Sequence, residues 1–238
     1  MITQNLAPLL HQEYRFYILM RFFYTMALRM VATLVAYQLF QLTRTSLSIG
    51  LVGLSEFIPV MGLALYAGHV IDYSDKRTLL LKWVSAYAIC VMALILVTFP
   101  GMEQRLGIRK LEFTFYLIIF FTGIVRAFAQ PAYNAIIVQL IPRDILHLAA
   151  NIGSGAWLAA SIIGHASAGF FIAWFGVHNS FYIVLLYVLI AAYFTSRIKR
   201  KEILNINTAV KAWDSVKEGL RFVFHHKVLL SAISLDLF

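Results

Sequence analysis

Long apolar runs alternate with short polar segments along the whole chain. A stretch of about 20 apolar residues is long enough to cross a bilayer, and such stretches predict spans near 17–40, 49–71, 79–99, 113–140, 149–175 and 177–195. The runs are continuous. They lack the ten-residue alternation of barrel strands, so the backbone is expected to satisfy its own polar groups within helices. The expected fold is all-α, a polytopic membrane protein in which residues 1–196 form a six-helix bundle. Residues 197–227 read as a connector. They open with RIKRKE and then place Val210, Trp213, Val216, Leu220 and Val223 at helical spacing, with Lys211, Asp214, Glu218 and Arg221 opposite. That pattern predicts an amphipathic helix on the membrane surface. A last apolar run, 228–238, ends about halfway through a crossing and reads as the start of a truncated seventh helix.

Composition strengthens this reading. The 238 residues are 61% hydrophobic and 13% charged, with a mean hydropathy of +0.78, too little polar surface to coat a water-soluble globule. The net charge of +9 raises nucleic-acid binding, but the basic residues sit between and after the apolar runs, where they report topology instead. Arg15, Lys76, Arg77, Lys82, Arg143 and the basic residues of 197–227 share one face; the other receives Arg44, Arg105, Arg109 and Lys110. The asymmetry predicts a cytoplasmic N-terminus in a cell inner membrane, with lipid and not nucleic acid as the surrounding partner. Cys90 is the single cysteine, so no intrachain disulfide can form. The N-terminus lacks the basic start and small-residue cleavage site of a signal peptide, and no processing is expected.

Between the second and third spans lies the loop Gly68-His-Val-Ile-Asp72-Tyr-Ser-Asp75-Lys76-Arg77-Thr-Leu-Leu80. A glycine here permits close helix contact, and paired cations hold the loop at the membrane surface. The spacing of Gly68, Asp72, Lys76, Arg77 and Leu80 resembles the signature loop of the major facilitator superfamily. Tyr73 stands where many members have Arg, and Asp75 where many have Gly. Other stretches resemble that superfamily's bacterial exporter branch, which includes enterobactin and macrolide efflux proteins. They are Thr43, the run Gly50-Leu-Val-Gly-Leu, Pro59, Pro131-Ala, Ile141-Pro142, Asn151 and Glu218-Gly219-Leu220. The resemblance implies twelve spans in two six-helix halves with the substrate path between them. On that basis the chain holds the first half, and its facing wall comes from a missing C-terminal half or from a second copy in a homo-oligomer.

Several intramembrane residues are candidates for chemistry. Glu56 lies about nine residues into the second span, near mid-bilayer, where a carboxylate is expensive unless functional or paired. It is either a proton-coupling group or half of a structural pair with Arg21 or Arg29 of the first span. Arg126, Gln130 and Tyr133 share one face of the fourth span, with Asn134 at its margin, and can line a polar cavity. Arg126 also resembles, loosely, the superfamily's buried fourth-span Arg, without the Gln-Gly that follows it. In the fifth span Gly155, Gly164 and Gly169 are expected at close helix contacts. His165 follows Gly164 where the exporter branch commonly has Pro; it either binds substrate or a proton, or hydrogen-bonds a neighbouring helix.

An intramembrane protease is the enzyme alternative, on Ser154 and His165. It fails because Ile152 stands where the rhomboid motif wants Gly, and both residues lie on one helix. No phosphate loop, paired metal ligands or haem arrangement occurs, so neither enzyme activity nor a cofactor is expected. The sequence therefore points to efflux of a small organic molecule, siderophore-like or drug-like, by alternating access. With no ATP site, proton antiport is the expected drive. The competing reading is a half-transporter fragment or membrane scaffold that does not transport.

Overall fold

A computed structural model of the chain describes residues 6–201. The connector helix and the seventh run, at 202–238, lie outside the described residues. Five helices are long and apolar enough to cross a membrane: α1 (Gln12–Thr43), α2 (Ser46–Asp72), α3 (Lys76–Val97), α4 (Ile108–Leu140) and α5 (Leu146–Arg197). Short turns fill the gaps, a 3-10 turn at Ala7–Leu10, a helical turn at Met102–Leu106 and a second 3-10 turn at Arg143–Ile145.

Helix α5 has 52 residues, which would make a straight rod of about 78 Å, more than twice the thickness of a hydrocarbon core. The chain instead breaks at Gly176, whose φ of 74° and ψ of 172° are not helical. Glycine pays no Cβ penalty at positive φ. The 146–175 arm runs parallel to α1: the Tyr14 hydroxyl donates to the Ala149 carbonyl at 2.6 Å, and Thr33 Oγ1 meets His165 Nδ1 at 2.8 Å. The 177–197 arm runs back. Phe16 and Phe23, in sequence order along α1, pack against Phe194 and Tyr187 in reverse order. Against α3 the same reversal holds, with Thr98 Oγ1 3.2 Å from His178 Nδ1 at one end and Arg77 bonded to the Ser196 carbonyl at the other. Among the described residues the bundle thus has six long helical segments, and Gly176 is the residue the hydropathy pattern leaves between its fifth and sixth runs.

Helix α1 is central. Tyr14, Tyr17, Met20, Met30, Leu34 and Leu39 are fully buried on it, against Tyr87 and Leu94 of α3, Phe115 and Ile136 of α4, and Phe181 and Val184 of the returning arm. By contrast α2 lies at the margin, with 11% of its most apolar window buried against 50% for α1 and α4. Small residues set the closest approaches. A Cβ on Gly123 of α4 would stand 2.6 Å from the Glu56 carbonyl oxygen and 2.6 Å from Pro59 Cγ on α2. One on Gly164 would stand 2.9 Å from Arg29 Cβ and 3.0 Å from the Met26 carbonyl oxygen on α1. Gly155 and Gly169 differ: a Cβ there meets nothing within 4 Å, because this side of the 146–175 arm turns away from the described bundle.

Candidate functional site

Two adjoining cavities open between α1, α2, α4 and the 146–175 arm. The larger, about 220 Å³, is bordered by Arg29, Glu56, Tyr87, Thr122, Arg126, Gln130 and Trp157. The smaller, about 60 Å³, is bordered by Arg21, Tyr24, Arg126, Gln130, Tyr133, Asn134 and Trp157. Arg126, Gln130 and Tyr133 come together because offsets of four and three residues stack on one helix face. Glu56 sits ten residues into the 27-residue α2, and Arg126 lies 18 residues into the 33-residue α4, so both are close to mid-helix.

The carboxylate of Glu56 accepts from Arg126 Nη1 at 2.5 Å, with both side chains about 30% exposed. The sequence had offered Arg21 and Arg29 as structural partners; the partner is on α4 instead. The close approach at Gly123, one turn before Arg126, brings the α2 backbone at Glu56 against α4 and sets this pairing. Arg21 Nη1 donates to the Tyr17 hydroxyl at 2.9 Å, and Arg29 Nε to Ser161 Oγ at 3.3 Å. The Arg29 guanidinium also lies over the Trp157 ring, 5.5 Å from its centroid. His165 is tied to Thr33 of α1, on the exposed side of the arm.

At one end of the bundle the signature loop fastens helix termini. Lys76 is 5% exposed and its Nζ donates to the Ile71 carbonyl at 3.3 Å, capping α2. Arg77 donates to the Ser196 carbonyl through Nη2 at 2.8 Å and to the Ile198 carbonyl through Nε at 3.2 Å, capping the returning arm of α5. Both place a cation at a helix C-terminus, where the macrodipole favours it. Asp75 is the N-cap of α3 and accepts from the backbone N–H groups of Arg77 and Thr78 and from the Lys201 N–H at 3.3 Å. Burial alone would raise its carboxyl pKa, but the hydrogen bonds from Thr78, Lys201 and Arg77 outweigh it and hold it below the ordinary carboxylate value. Lys201 also pairs with Glu13, next to the start of α1. Asp72 is exposed, and Gly68 meets nothing within 4 Å.

The opposite end holds a polar cluster that the sequence pattern did not single out. Ser48 Oγ donates to Glu112 Oε1 at 2.7 Å and the Tyr116 hydroxyl donates to the same oxygen at 2.5 Å, joining α2 to α4. The signal was present in Glu112 and Tyr116 at i and i+4, but it falls at the edge of an apolar run where a charge looks like a span boundary.

These features define a multi-pass helical membrane protein with a charged cavity at mid-helix depth and helix ends fastened by a basic loop. The family described as "Transmembrane secretion effector", of the major facilitator type, matches residues 3–235, and the chain belongs to it. A relative in Bacillus subtilis (strain 168), "Uncharacterized MFS-type transporter YfiS", is 26% identical over 198 residues, covering 82% of this chain and 45% of the relative. The chain thus spans about half the length of that relative. No solved structure matches the chain.

Proposed function

We propose that this bundle is one wall of a proton-coupled exporter that moves a small organic molecule out across the inner membrane by alternating access, with its N-terminus in the cytoplasm. The observation that carries the reading is the Glu56–Arg126 pair bordering a cavity in the middle of an apolar bundle, in a chain of the secretion-effector family. Charges at such depth are retained for function or for pairing. A proton taken by Glu56 ends the ion pair with Arg126 and changes the relative energy of two arrangements of α2 and α4; this is how a bound proton biases an alternating-access equilibrium. The signature loop sets the same balance from the helix ends, with Asp72 exposed toward whatever packs on that face.

The facing wall comes from a second six-helix half, and three features support this. The exposed side of α2 carries Leu54, Phe57, Ile58, Met61 and Leu65, the 146–175 arm presents Gly155 and Gly169 to open space, and the relative is about twice as long as the matched region. The packing role of these two glycines belongs to that interface.

The test is solute movement in liposomes under an imposed proton gradient, comparing the 238-residue chain with a version extended by a facing half. The extended form is expected to move solute in a gradient-dependent way that Glu56→Gln abolishes, and the 238-residue form alone is expected to move none. Transport by the shorter form would overturn the half-wall reading. Gradient-independent transport, or full activity in Glu56→Gln, would overturn proton coupling at this site.

A further inference from the structure

Charge does not balance in the cavity. Among the described residues, the guanidiniums of Arg21, Arg29 and Arg126 border it against one carboxylate, that of Glu56. Glu56 is engaged by Arg126. Arg21 and Arg29 donate only to neutral hydroxyls, of Tyr17 and Ser161. Two positive charges therefore stand within α1 without a counter-charge among the described residues, and at membrane depth such charges are paired or face a polar path. Hydrogen-bond donors are also left over. Arg126 Nε and the hydroxyls of Tyr24 and Tyr133 are buried without a hydrogen-bond partner, although buried polar groups are satisfied as a rule. Trp157 borders both cavities and supplies a flat apolar surface.

Resting on the reading of this cavity as the substrate path, we infer that the transported solute is an organic anion, with acidic oxygens set against Arg21 and Arg29 and a planar apolar body against Trp157. The inventory favours this class on every count. An oxyanion supplies the missing negative charge, accepts from the guanidinium forks in charge-assisted hydrogen bonds, and offers acceptors to unpartnered donors. A cation entering the same space meets two uncompensated charges that water screens poorly. A neutral solute leaves both guanidiniums unpaired.

The experiment uses the 238-residue chain in detergent and three fluorescent probes that share one dansyl body: dansylglycine, an anion, its neutral amide, and dansylcadaverine, a cation. Binding is read by anisotropy against a detergent blank. Dansylglycine is expected to bind about tenfold more tightly than the amide and more tightly still than the cation. Arg21→Gln and Arg29→Gln should each cost the anion about tenfold while leaving the amide unchanged, and Arg→Lys at either position should restore part of the loss, separating charge from packing. The comparison of probes on the unaltered chain needs no variant and so stands even if a substitution misfolds. Equal or tighter binding of the cation would overturn the inference while leaving the transport reading in place. Displacement of dansylglycine by inorganic phosphate but not by chloride at equal ionic strength would assign the guanidiniums to a free oxyanion and overturn the organic part. Binding of none of the probes would overturn this inference and leave the transport reading to the liposome assay.

Discussion

Replacing Gly123 by alanine adds one methyl group at the contact between α2 and α4. Its carbon would lie 2.6 Å from the Glu56 carbonyl oxygen and 2.6 Å from Pro59 Cγ, closer than van der Waals contact by most of an ångström. Neither neighbour can rotate away, since one is backbone and the other a ring, so the two helices must separate. Overpacking of this kind costs about 1–3 kcal/mol, against which alanine recovers about 0.5–1 kcal/mol of helix propensity. The net expectation is a loss centred on about 1 kcal/mol and reaching about 2.5 kcal/mol, so roughly 2–4 °C in unfolding temperature at the centre of that range for a chain of this size. Gly155→Ala and Gly169→Ala are the controls: their Cβ atoms meet nothing within 4 Å, so only the propensity gain remains and stability should rise. Cys90 provides the readout. It is the only cysteine and half-buried against the core, so its reaction with a thiol-specific fluorophore reports unfolding in detergent. The same chemical change should thus move the transition in opposite directions at Gly123 and Gly169. An unfolding temperature for Gly123→Ala at or above that of the parent chain would refute the close-contact argument.

The Glu56–Arg126 pair should behave as a unit: Glu56→Gln and Arg126→Gln each destabilise, and the double variant costs less than their sum by about 1–3 kcal/mol, measured as a double-mutant cycle in the same assay. Additive losses would show that the two side chains do not communicate. Asp75→Ala removes the N-cap of α3 and should cost about 1 kcal/mol. Because the Asp75 carboxyl is held below its ordinary value, that contribution is fully present above about pH 4 and fades as acidification passes through the lowered value; a gap between parent and variant that widens in acid would contradict this. With Cys90 replaced by Ala, a cysteine at position 199 should be shielded from an impermeant label in intact cells and one at position 109 should react, and the reverse pattern would invert the proposed orientation.

Hydropathy located the six long helical segments of the described residues, down to the break at Gly176, because lipid imposes one length and one polarity on every span. It located helix ends less well. Helix α1 starts at Gln12 and α4 at Ile108, each five residues before the expected run, since polar residues such as Glu13 and Arg109 continue a helix past the apolar slab that hydropathy measures. The cavity face of α4 was legible from the spacing of Arg126, Gln130 and Tyr133. The partner of Glu56 was not, because the register between α2 and α4 depends on the absence of a side chain at Gly123, and nothing in one sequence says which glycine meets which helix. Asp75 read only as a departure from a family pattern; its cap bonds to the Arg77 and Thr78 N–H groups are local, but its further bond to Lys201, 126 positions later, has no trace in the local pattern.

Lys76 and Arg77 are counted among the charges that predict which side of the membrane the loop occupies, yet in the folded bundle both are bonded to carbonyls at helix ends. The same two cations therefore serve both topology and closure. Both charges favour one side of the bilayer for the loop; Lys76 bonds a carbonyl only five residues back, whereas Arg77 has its carbonyl partners only where the returning arm of α5 is in place. Loop charge and bundle closure are then separable events. Moving the pair a residue or two along the loop would preserve the orientation of the chain while leaving the ends of α2 and α5 unfastened.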